Sequence, residues 1–141
     1  MSGFIIPIVP KRVLDFSSVA VSSSQSVIIA DRIDLLHWRG ISLVLKVYSH
    51  TLTSGTGTIR FDVMPQSWTS DDPGMTFLAS ASAQSITIGS TTKNPDYLLA
   101  DVNMSGPGCM SAMAQIVATC NRISVGSLTA QISVDFSVRD Y

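Results

Sequence analysis

Near its end the sequence reads LTAQISVDFSVR, residues 128–139, with apolar and polar side chains in alternation. Successive side chains of a β-strand point to opposite faces of a sheet, so a period of two predicts a strand with one face in a core. The apolar positions are Leu128, Ala130, Ile132, Val134, Phe136 and Val138. This segment therefore predicts a half-buried antiparallel strand.

The same period appears farther upstream and predicts two hairpins. Residues 110–120 alternate, and the segment 121–127, which contains a glycine, predicts a hairpin with the closing strand. Residues 41–52 are mostly apolar, which predicts a central strand that is buried on both faces. The turn signal at 53–57 leads into a further alternating run, and a second hairpin is predicted over 41–65.

Shorter strands are predicted at residues 13–22, 26–35, 77–88 and 96–102. The total is about eight strands, with no amphipathic helix. The composition also favours strands over helices. All 10 acidic residues are Asp, which favours turns, and the chain has no Glu, which favours exposed helix faces. We predict an all-β fold, an antiparallel two-sheet β-sandwich that is jelly-roll-like.

The first twelve residues differ from the rest in carrying two prolines among β-branched residues. The apolar part of this segment is Phe4, Ile5, Ile6, Pro7, Ile8, Val9 and Pro10. Because proline removes a ladder donor, residues 1–12 are predicted to be either an edge strand or an extended N-terminal arm that reaches a neighbouring subunit. Residues 13–141 are predicted to form a single β-sandwich domain.

Charge and hydropathy argue against several kinds of partner. The net charge is −1 and the arginines are scattered, so the basic patch that binds nucleic acid is missing. No apolar run reaches the ~18–20 residues of a membrane span, and no basic region precedes the proline-interrupted start as in a secretory leader. We expect no direct nucleic-acid partner, no membrane association and synthesis in the cytoplasm without a signal peptide.

The residues that usually carry catalysis or bind metals do not form a recognisable set. His37 and His50 lie near opposite ends of one predicted strand, roughly 40 Å apart at about 3.3 Å per residue, too far to share a metal or a proton relay. The spacing of Cys109 and Cys120 matches no metal-binding or redox motif, so both are interpreted as buried hydrophobic residues, with a disulfide as the alternative. We therefore predict no enzyme, no catalytic residue, no metal and no cofactor.

A carbohydrate-binding or host-adhesion module is the alternative function. Trp38 and Trp68 are candidate stacking surfaces for a sugar ring, and Asp71 and Asp72 are candidate glycan contacts. Asp before Pro-Gly is also ordinary turn chemistry, and tryptophans that border strands commonly pack at the edge of a core. Both interpretations are open on the sequence.

Three features together resemble the small β-sandwich virion structural proteins of tailed bacteriophages. They are the arm Phe4–Pro10, the segment GTIRFDVMPQSW (57–68) and the closing strand Ala130–Arg139, set in a chain of which only 13% is charged. The resemblance implies a non-enzymatic capsid decoration, cement or tail-associated protein that stabilises a particle through protein–protein contacts. It also implies a virion location after synthesis in a host cell. The expected partners are the protein itself, as a symmetric homo-oligomer, and other virion proteins such as a major capsid protein.

Overall fold

The fold is known from a computed structural model, which describes residues 3–34, 40–66, 84–102 and 113–139. These residues form eight strands and no helix: β1 (Gly3–Asp15), β2 (Ser24–Asp34), β3 (Gly40–His50), β4 (Gly57–Gln66), β5 (Gln84–Ile88), β6 (Asp96–Val102), β7 (Met113–Arg122) and β8 (Thr129–Arg139). The predicted all-β class is confirmed. Within these ranges, no helix has the length and apolarity needed to cross a membrane.

The strands form two antiparallel sheets of four. Sheet A has the order β1-β8-β3-β6 and sheet B the order β2-β7-β4-β5. The pairs β1–β8, β2–β7, β3–β6 and β4–β5 are the nested pairs of one long hairpin, and they alternate between the two sheets. A hairpin ribbon wrapped in this way is a jelly roll, so the predicted sandwich type is confirmed as well.

Both predicted hairpins are wrong. β3 pairs with β6 and β8, whereas β4 pairs with β5 and β7, so residues 41–65 cross from sheet A to sheet B. Residues 113–139 of the predicted segment 110–139 cross in the same way, because β7 lies in sheet B and β8 in sheet A. Alternation fixes which face of a strand is buried, but it is the same for a hairpin and for a connection between sheets.

The core lies between the sheets and follows the predicted alternation. In β8 the residues Ala130, Ile132, Val134, Phe136 and Val138 are all buried. The largest fully buried side chains are Phe61 from sheet B and Phe136 from sheet A. In β3 only one face is fully buried; the other carries half-buried Val44, Lys46 and Tyr48, which corrects the prediction of burial on both faces.

The first strand departs from its predicted bounds at both ends. β1 begins at Gly3 and pairs with β8 from Gly3↔Arg139 to Asp15↔Thr129, so residues 3–12 lie in the sheet as an edge strand. The strand predicted at 13–22 ends at Asp15, whose carboxylate accepts a hydrogen bond from the Ser17 amide (2.9 Å) and starts a turn. That bond lowers the pKa of Asp15.

The predicted strands at 26–35 and 96–102 match β2 and β6, whereas only 84–88 of the strand predicted at 77–88 is described.

Candidate interaction surfaces

The sequence-predicted site residues divide into two groups. Trp38, Trp68, Asp71 and Asp72, together with His37 and Cys109, lie outside the described residues. The apolar residues of the predicted arm, Phe4–Pro10, lie in the edge strand β1. The structure therefore places the arm on its own sheet, and Phe4 and Ile5 remain largely exposed there.

The outer face of sheet A carries a small polar network on its central strands. Lys46 on β3 forms an ion pair with Asp135 on β8, with 3.0 Å between Nζ and Oδ2. Beside it, the Tyr48 and Ser133 hydroxyls are hydrogen-bonded at 3.0 Å, and the Lys11 ammonium lies 4.4 Å from the centre of the Tyr48 ring. The hydrogen bond from Lys46 to Asp135 raises the pKa of Lys46. These cross-strand contacts join β1, β3 and β8 on one face.

Four loops meet at one end of the sandwich, because antiparallel strands bring alternate connections to the same side. This loop end consists of residues 16–23, 51–56, 89–95 and 123–128. Two of its loops are held together by Arg122, the last residue of β7. Its guanidinium donates to the backbone carbonyls of Ser17, Val19 (2.7 Å), Ser124 (3.1 Å) and Gly126 (2.7 Å).

Arg122 is only 8% exposed, and all four of these acceptors are backbone carbonyls. A buried charge is costly unless its donors are satisfied, and guanidinium supplies five donors in a fixed plane. By alternation from Cys120, which is buried, Arg122 faces inward between the sheets. The side chain thus closes the end of the core and fixes the loop 16–23 against the loop 123–128.

His50 and a pair of threonines fix the other two loops. The His50 Nδ1 accepts from the Leu52 amide (3.2 Å), so its Nε2 donates to the Thr92 carbonyl (2.6 Å) and links loops 51–56 and 89–95. The Thr51 and Thr129 hydroxyls lie 2.7 Å apart, and the Thr51 amide donates to the Thr129 carbonyl (3.0 Å). Each loop of the loop end is therefore tied to a neighbour by hydrogen bonds.

Gly57 permits the close approach of two strands beside these loops. Its φ is +140°, and a Cβ at this position would lie 2.2 Å from the Asn121 carbonyl oxygen. The obstacle is backbone, so it cannot move aside as a flexible side chain would. Glycine is thus required where β4 begins against the end of β7.

Apolar side chains project from the loop end. Val125 is 80% exposed, and Ile123 and Val21 are also exposed. Ser124, between Ile123 and Val125, donates its hydroxyl hydrogen to the Gly55 carbonyl and so anchors the segment. Across the four loops the sequence contains one charged residue, Lys93. The result is a firmly held, nearly uncharged end with exposed aliphatic groups.

The described residues contain no group of three or more His, Cys or Asp side chains that would hold a metal ion. Both ring nitrogens of His50 are engaged in the loop contacts above. The Cys120 thiol is buried in the core, and desolvation raises its pKa, which opposes formation of a nucleophilic thiolate.

Comparison with known proteins identifies no family. No protein-family model matches the chain, and no curated protein matches it at a significant level. The function is therefore inferred from the chemistry of the described surfaces and from the sequence resemblance.

Sequence reasoning missed Arg122 and the loop end. The sequence does contain a signal for Arg122. Every second residue of its strand is apolar or small up to Cys120, and the same alternation places the charged residue at position 122 on the inward face. An inward-facing arginine at the end of a strand indicates a set of carbonyl acceptors nearby. The identity of those acceptors has no signal, because they are backbone groups of loops distant in the sequence.

Proposed function

We propose that the protein is a non-enzymatic structural subunit of a virion, a capsid decoration or cement protein that stabilises a particle through protein–protein contacts. The observation that carries the proposal is the loop end, where exposed Ile123 and Val125 stand on loops tied by Arg122. The jelly-roll fold supports it, since this architecture recurs in viral capsid domains as well as in lectins.

The loop end has the properties of an interface core. Interface centres are depleted in charge, and the four loops contain Lys93 as their one charged residue. Loops that are already fixed lose little conformational freedom when a partner binds, which favours association. The partners that fit are the flat apolar surface of another virion protein, such as a major capsid protein, and further copies of this chain in a symmetric homo-oligomer.

The experiment is incorporation into particles. Virions would be purified from cells that make the protein, and the copies per particle would be counted by quantitative mass spectrometry for the wild type and for Val125→Asp. Placing a carboxylate in an apolar interface leaves it desolvated without a partner, so we expect incorporation to fall at least tenfold. The matched control is Val13→Asp, an exposed valine of β1 that lies outside the loop end.

Two results would contradict the proposal. One is purified virions without the protein, and the other is equal incorporation of wild type and Val125→Asp. Specific retention on immobilised glycans, abolished by Trp68→Ala, would instead favour the carbohydrate-binding alternative.

A further inference from the structure

The edge strands of the two sheets differ in how well they are protected from pairing with another chain. β1 carries Pro7 and Pro10 and has two register shifts against β8. β2 also has two register shifts, with the charged run Asp31-Arg32 at the second of them and Arg32 at a φ of +52°. Prolines, bulges and charges are the usual means by which edge strands avoid intermolecular pairing. Both strands are therefore poor templates for a further strand.

β6 lacks two of these protections, prolines and bulges, and its two charged residues, Asp96 and Asp101, lie near its ends. It contains no proline, and it pairs with β3 over seven consecutive positions, Ile41↔Val102 to Val47↔Asp96, without a register shift. Among the described strands it is the last in sheet A. Two exposed residues near its centre are large and apolar: Tyr97 is 65% exposed and Leu99 is 71% exposed. A regular edge strand with exposed apolar side chains favours addition of another strand.

We infer that β6 pairs antiparallel with β6 of a second copy of this chain across a two-fold axis. The two A sheets then join into one continuous sheet, with the pair of β6 strands at its centre. This inference names the contact for the homo-oligomer of the proposed function, and its test uses the free protein without a virion.

The strand is complementary to itself in this arrangement. With Leu98 on the two-fold axis, Tyr97 of each copy lies opposite Leu99 of the other, and Asp96 lies opposite Ala100. The exposed aromatic and aliphatic groups thus form two cross-strand pairs on the outer face, a favourable combination. The acidic side chain at the start of the strand does not face its own copy, so no like charges are directly opposed there.

The size of the contact sets the expected affinity. In this register five residues of each strand, 96–100, lie opposite one another; they bury less than the ~800 Å² per partner of a stable complex, so we expect weak association of the free protein. Subunits held side by side on a particle have a high effective concentration, which strengthens such a contact. A second copy is therefore the occupant best matched to this edge.

Sedimentation velocity over a concentration series tests the inference with full-length protein. We expect the wild type to form a dimer as concentration rises, and Leu99→Lys to weaken association at least tenfold, because it places a charge at the centre of the strand pair. The matched control is Val13→Lys, a residue of β1 that is 59% exposed and should leave the dimer unchanged. Circular dichroism of each variant checks that the fold is intact.

Amide hydrogen exchange supplies a second readout. We expect those amides of 96–100 that point away from β3 to become more protected with rising concentration in the wild type but not in Leu99→Lys. A monomer at every concentration overturns the inference, as does a dimer that Leu99→Lys leaves unchanged or that both lysine variants weaken equally. Protection of these amides in a monomer also overturns it, since another segment of the same chain would then occupy the edge. Particle incorporation of Leu99→Lys measures the proposed function separately.

Discussion

Arg122 and Lys46 are two cations of the same molecule in contrasting surroundings. Arg122 is buried at the loop end and donates to four backbone carbonyls, which belong to two different loops. Lys46 pairs with one carboxylate on the outer face of sheet A, and the side chains of Lys46 and Asp135 are 35% and 11% exposed. Water reaches the Lys46 ammonium more readily than the Arg122 guanidinium. We therefore expect Arg122 to contribute more to stability than Lys46.

The largest expected effect comes from removing the buried cation. Arg122→Ala leaves four carbonyls without their donor, one of them buried and three partly buried, and a buried acceptor without a donor is costly. We expect the free energy of unfolding to fall by about 3–4 kcal/mol, measured by urea denaturation at pH 7.

Arg122→Lys tests whether a positive charge alone is sufficient at this position. Lysine keeps the charge but has no planar fork that donates to several carbonyls at once, so most of the loss should remain. A loss below about 1 kcal/mol for Arg122→Ala would show that the loops hold each other without the guanidinium.

Gly57 supports the loop end through the backbone and should show the next largest effect. Gly57→Ala forces a Cβ against the Asn121 carbonyl at a φ of +140°, so the strands must separate. We expect a destabilisation of about 2–3 kcal/mol by thermal or urea unfolding.

The control is Gly89→Ala, in another loop of the same end. Its added Cβ would lie 3.5 Å from the Thr58 methyl carbon, an ordinary contact. We expect a change of at most about 0.5 kcal/mol there. Equal losses at both glycines would mean that the close approach of β4 to β7 is not what requires Gly57.

The smallest effect is expected for the ion pair between Lys46 and Asp135. Lys46→Met should lower stability at pH 7 much less than Arg122→Ala does, because Lys46 is partly solvated, although the buried Asp135 carboxylate loses its ion-pair partner. The pKa of Lys46 is raised by Asp135, so its contribution is fully present below the ordinary value of 10.5 and is lost as pH rises through the raised value. Unfolding measured at pH 9 and again above pH 11 should therefore show a decline in the wild type that is reduced in Lys46→Met. A large loss at pH 7 would contradict the contrast with Arg122.

The sequence predicted the faces of the strands much better than their partners. The alternation in β8 identifies the core residues correctly, because burial on one face requires a period of two whatever the neighbouring strand. Partners are fixed by contacts distant in the chain, such as Thr51 with Thr129 or Gly57 beside Asn121. A connection of six residues between two alternating runs fits a hairpin and a crossing between sheets equally well, so both hairpin predictions failed.

The candidate site was harder to predict than the fold for the same physical reason. Exposed Ile123 and Val125 are indistinguishable in sequence from buried strand residues, since exposure depends on how the loops are held. The prolines of β1 did signal an irregular edge, and β1 is an edge strand with register shifts. The residues of the carbohydrate hypothesis lie outside the described ranges, and that hypothesis stays a prediction.

Counting the copies of this protein on purified virions tests the proposed virion role. We expect a fixed stoichiometric ratio to a shell protein, together with the loss of Val125→Asp from the particles while Val13→Asp is retained. Virions that lack the protein, or that carry it in trace amounts unaffected by either substitution, would contradict this role.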